Sequence, residues 1–106
     1  MLNNEKLEDQ AMLIISNAGA GRGCAFEALA AAKKGNFEEA RMKMEHANQY
    51  GDNAHAAHSQ LLKMDSRGEV EGVDLLLSHA QDHVMTAQLA IELIAEIIAL
   101  REDFGK

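Results

Sequence analysis

The sequence predicts an all-α fold, an antiparallel three-helix bundle. Three observations lead there. None of the 106 residues is proline, the residue that most reliably interrupts a helix. Good helix formers (Ala, Leu, Glu, Lys, Met, Gln) fill three long segments. No segment alternates apolar and polar residues for long, so no sheet is expected. The length suits one domain over residues 1–106, and short polar links make neighbouring helices run up, down and up.

The first helix is expected from about Glu5 to Lys34. Leu7, Ala11, Ile14, Ile15 and Ala18 recur at helical spacing, and Cys24, Phe26, Leu29 and Ala32 resume it. Gly19, Gly21 and Gly23 lie between them. Each costs about 1 kcal/mol relative to Ala in a helix, so a kink or break is expected there. The pattern imitates a phosphate-binding turn, but G-x-G-x-G is neither the dinucleotide fingerprint nor a Walker loop.

The second helix begins after Gly35. Asn36 stands as N-cap, and Glu38 and Glu39 complement the helix dipole in the first turn. It should run to Lys63 or Met64, with a weak spot at 48–53. Residues 65–72 read as a polar connection. Asp74 is the expected cap of a third helix from about Leu75 to Asp103.

At roughly 100° per residue, this third helix has two apolar faces. Ala80, Val84, Ala87, Ile91, Ala95 and Ile98 form a core stripe. Leu89, Leu93 and Leu100 form a second stripe on about the opposite side. A helix in a monomeric bundle needs one such face, so the second predicts burial against another copy. Asp82 is in line with the second stripe. A carboxylate there is costly unless paired, protonated or metal-bound, or unless the stripe opens to solvent at its end. Copies of Asp82 meeting at an axis would share protons or a magnesium- or calcium-like cation.

Composition narrows the function. A net charge of −7 disfavours a general nucleic-acid or anionic-membrane binder. At 47% hydrophobic residues, the chain is no disordered acidic tail. A single cysteine, Cys24, excludes an intramolecular disulfide and a Cys-rich zinc site, and a reducing compartment fits. The acidic N-terminal segment lacks the form of a secretory signal, and no stretch is expected to span a membrane. A cytoplasmic protein is expected.

The densest chemistry is Ser78-His79-Ala80-Gln81-Asp82-His83. His79 and His83 are four residues apart and His79 and Asp82 three, so each pair is close on a helix. A neutral imidazole is a competent nucleophile near neutral pH, and a neighbouring carboxylate or amide sets which nitrogen keeps the proton. Three readings compete: a phosphate-accepting histidine oriented by Gln81 or Asp82, a zinc site on His79 and His83, and surface histidines without a role. His46, His55 and His58 add three more histidines on the second helix, the last two as an i, i+3 pair.

The block His79-Ala-Gln81-Asp82-His83-Val-Met85-Thr86 and the helix after it closely resemble the IIA component of the lactose/cellobiose-type sugar phosphotransferase system. The segments 14–19, 26–40 and 54–62 resemble its first helix, its helix–turn–helix and the end of its second helix. The chain departs from the family at Gly21 and Gly23, where bulkier residues are expected, and at His58, where glutamine is common. The resemblance implies three-helix protomers assembled as homotrimers. It implies phosphoryl transfer from HPr onto His79, then to a cysteine of the IIB component, coupled to sugar uptake through the membrane IIC component. It places Asp82 at the trimer axis with a divalent cation, Mg2+ being the expected one, and Gln81 and His83 as supporting residues. A non-enzymatic helical adaptor and a small metal-binding bundle using His79, His83, His55 or His58 are the alternatives.

Overall fold

The computed structural model describes residues 4–71 and 74–105. Gly72, the last residue of the expected connection, and the first three residues of the N-terminal segment lie outside them. Three 30-residue helices, α1 (Asn4–Lys33), α2 (Phe37–Ser66) and α3 (Leu75–Phe104), pack as a rod of 56 × 19 × 17 Å. The links follow from local chemistry. Gly35 and Gly68 adopt φ of 83° and 74°, the left-handed region that L side chains avoid. Each closes its helix with a Schellman motif. The Gly35 and Asn36 N–H groups donate to Ala32 and Ala31, and those of Gly68 and Glu69 donate to Asp65 and Met64. Asn36 occupies the α2 cap position, as expected, but its side chain makes no capping bond.

The helices run antiparallel. Arg41 of α2 meets Glu102 near the end of α3 at 3.1 Å, while His55 further along α2 meets Gln88 earlier on α3. The core is two stacked clusters with alanine as their commonest member. One gathers Ala11, Ile14, Ala18, Ala54, Leu61, Leu77, Ala80 and Val84. The other gathers Ala25, Ala28, Ala32, Ala40, Ala47, Ile91, Ile94 and Ile98. Small side chains let the helix axes approach closely, so packing density rather than side-chain bulk holds the rod.

Four expectations need correction. The α1 helix is unbroken through Gly19–Gly23 and α2 through 48–53. The reason is packing: a Cβ on Gly21 would come within 3.2 Å of the Ala47 carbonyl, 3.3 Å of the Gly51 N and 3.3 Å of Ile91 Cδ1. A Cβ on Gly51 would meet the same Ile91 methyl at 3.2 Å. Gly21 and Gly51 therefore form a three-helix junction, and tertiary contact offsets their poor propensity. On α3 the buried stripe contains Ile94 in place of Ala95, which is exposed. The larger residue turns inward because it recovers more apolar burial. Finally, α3 is long and apolar enough, by length and composition alone, to cross a membrane. Its composition reflects the two faces, one packed in the bundle and one exposed.

Candidate functional site

The site starts from Asp74. Its Oδ1 accepts the Leu77 N–H at 2.8 Å and its carbonyl accepts the Ser78 N–H at 3.1 Å, which fixes the first turn of α3. His79 stands on the next turn, exposed to solvent. His83, half-buried, lies one turn further on the same side. Their rings meet edge to face, with centroids 4.5 Å apart and planes at 86°. The two Nε2 atoms are 3.1 Å apart. At that distance one nitrogen donates a proton and the other accepts it through its lone pair. The pair thus presents one nucleophilic nitrogen next to one N–H donor, a combination suited to receiving and holding an anionic group.

Asp82 is exposed, on the line that also carries Leu89, Leu93 and Leu100, each more than half exposed. Leu75 and Phe104 extend the line to both ends of α3. The second apolar stripe is therefore present and uncovered within a single chain. Thr86 donates its hydroxyl to the Asp82 carbonyl at 2.7 Å, a back-bond that saves the polar Oγ1 from facing the stripe unpaired.

Gln81 is not brought to the histidine pair within one chain. It lies seven residues before Gln88, on the same face of α3. Gln88 faces α2, where its Nε2 is 3.1 Å from His55 Nδ1. Gln81 is thus roughly 200° around the helix from His79. The i, i+3 pair on α2 is divided as well: His55 reaches α3, while His58 is half-buried with an Nε2 that has no hydrogen-bond partner among the described residues. Sequence reasoning assigned no role to Thr86 or Gln88. The Thr86 bond was open to reading from its i+4 spacing to Asp82; the Gln88 contact depends on the α2–α3 register, which no local signal specifies.

Among the described residues no group of three or more His, Cys, Asp or Glu side chains is placed to hold a metal. The zinc alternative therefore has no complete ligand set in one chain. Asp82 offers a single carboxylate, whereas a hard divalent cation takes six or more oxygens. The donor chemistry fits such an ion only where Asp82 from further copies, or water, completes the shell.

Residues 9–102 match the family model of the lactose/cellobiose-specific IIA subunit of the phosphotransferase system. The chain belongs to that family. The lichenan-specific phosphotransferase enzyme IIA component of Bacillus subtilis is 42% identical over 99 residues, covering 93% of this chain and 90% of that one. The crystal structure of the cellobiose-specific enzyme IIA of Bacillus anthracis superimposes with a TM-score of 0.88 at 35% identity, over 99% of this chain and 94% of that one. The IIA component in the solution structure of the IIA(chitobiose)–HPr complex of Escherichia coli gives 0.81 at 38% identity, over 94% and 97%. The resemblance carried by the His79–Thr86 block and the helical segments is thereby established for nearly the whole chain.

Proposed function

We propose that the protein is a phosphocarrier of a sugar phosphotransferase system, of the lactose, cellobiose or chitobiose class, with His79 as its phosphoacceptor. The observation that carries this is the exposed His79 imidazole with its Nε2 3.1 Å from a second imidazole nitrogen. In the reactive tautomer His83 holds its proton on Nε2 and the His79 Nε2 lone pair accepts it at rest; the lone pair attacks in line once that N–H turns away from it. The P–Nε2 bond forms as the bond from phosphorus to the donor protein breaks. The His83 N–H then turns to a phosphoryl oxygen, where a preorganised donor offsets the charge. Transfer onward reverses the sequence toward the next nucleophile.

HPr as donor is supported by the IIA–HPr complex among the structural relatives; the IIB component is the acceptor and the cytoplasm the location. The uncovered stripe of Leu89, Leu93 and Leu100 is closed by self-association as a homotrimer. In that assembly Gln81, on the opposite flank of α3 from His79, is available to a neighbouring copy's His79. Three Asp82 carboxylates then converge, and a divalent cation such as Mg2+ offsets their repulsion; no transfer step passes through it.

The test is phosphorylation by the general components of the system followed by mapping of the acid-labile phosphate. Label on the Nε2 of His79, lost in His79→Ala, is expected. Label that persists in His79→Ala removes the assignment, and a protein that takes no label at all is instead a helical adaptor.

A further inference from the structure

The end of the rod opposite His79 carries a concavity of about 490 Å³ between the end of α1, the start of α2 and the end of α3. Lys33, Lys34 and Arg101 line it with Phe37 and Phe104, and no acidic residue does. None of the three cations has an ion pair or side-chain hydrogen bond among the described residues, whereas Arg41, Lys43 and Arg67 each pair with a glutamate. Two of them, Lys33 and Arg101, stand in the last turns of α1 and α3, where they also favour the helix dipoles. That role needs neither a third cation nor a shared hollow. Nor does it need the aromatic walls of Phe37 and Phe104. In a chain of net charge −7, three cations without an ion pair among the described residues line one depression beside two phenylalanines.

We propose that this depression binds the phosphate group of an organophosphate whose apolar or planar body lies on Phe37 and Phe104. The cations supply charge and N–H donors to the phosphate oxygens, and the phenyl rings cover the remainder. A soluble nucleotide and an anionic phospholipid headgroup both have this chemistry. The site is roughly 33 Å along α3 from His79, taking 22 residues at helical rise, so it is separate from the phosphoacceptor and does not depend on it.

The experiment uses the full chain in low salt. One arm titrates adenosine monophosphate, with inorganic phosphate alone as comparison, and follows backbone amide shifts by NMR. The other sediments the protein with phosphatidylglycerol-containing vesicles against phosphatidylcholine vesicles. Saturable shifts around Lys34, Phe37 and Arg101 identify a soluble ligand, and co-sedimentation with the anionic vesicles alone identifies lipid. In either arm the K33Q/K34Q/R101Q variant should weaken binding by about a hundredfold, at roughly fivefold per cation. K63Q, a change elsewhere on the surface, should leave it unaltered. Circular dichroism confirms that both variants remain helical. No binding in either arm, or binding that survives the triple change, overturns the proposal.

Discussion

Alanine substitution at the three closely spaced glycines of α1 should change stability in opposite directions. In a helix interior Ala is about 1 kcal/mol better than Gly. At Gly19 and Gly23 an added Cβ meets nothing within 4 Å. Gly19→Ala and Gly23→Ala should each realise that gain in full, and together about 2 kcal/mol. At Gly21 the same atom lands 3.2–3.3 Å from two backbone atoms of α2 and the Ile91 methyl. The Ile91 side chain can turn aside, but the α2 backbone must move by a few tenths of an ångström. Overpacking of this kind costs roughly 1–3 kcal/mol. Against the propensity gain, Gly21→Ala should lose about 1 kcal/mol, which separates it from Gly19→Ala by about 2 kcal/mol. For a domain of this size that is a spread of about 8–16 °C in Tm. Thermal unfolding by far-UV circular dichroism, at one fixed protein concentration because assembly contributes to Tm, measures it. A Gly21→Ala protein as stable as Gly19→Ala would show that the α1–α2 seam is loose. Loss of stability at Gly19 or Gly23 would show that the outer face of α1 is covered.

Other substitutions probe the site and the assembly. His83→Ala should keep the phosphate on His79 but slow its arrival about 10–100-fold, read by single-turnover labelling; an unchanged rate removes the donor role of the ring. Asp82→Leu should preserve or strengthen the oligomer, because it replaces converging like charges with apolar contact; dissociation to monomers in sedimentation would contradict a buried carboxylate cluster. His58→Leu should stabilise the fold by about 1 kcal/mol, since it removes a buried nitrogen without a partner. A lower Tm would show that His58 is satisfied by a group beyond this chain.

The helices were legible to within a few residues because their signals are local. The Asp74 cap, the Gly35 terminator and the lack of proline act over one or two turns. The His79–His83 contact was equally legible, since i, i+4 spacing alone brings the rings together. What escaped depends on the other helices. Gly21 looked like a break because its compensation comes from Ala47, Gly51 and Ile91 across the junction. Ala95 looked like core because a wheel at uniform pitch cannot tell which of two adjacent apolar residues meets α1 and α2. Gln81, to which the family resemblance gives a supporting role, is turned by the helix to the flank away from His79, so its approach to that ring depends on a neighbouring copy.

On the proposed phosphocarrier reading, the histidine pair also sets how much phosphorus one chain would carry. With 3.1 Å between the two Nε2 atoms, a tetrahedral phosphoryl on one occupies the space in front of the other. A second dianion there would face the full repulsion of the first at contact distance. Two imidazoles would thus make a single berth, with an expected maximum load of one phosphoryl per polypeptide whatever the excess of donor.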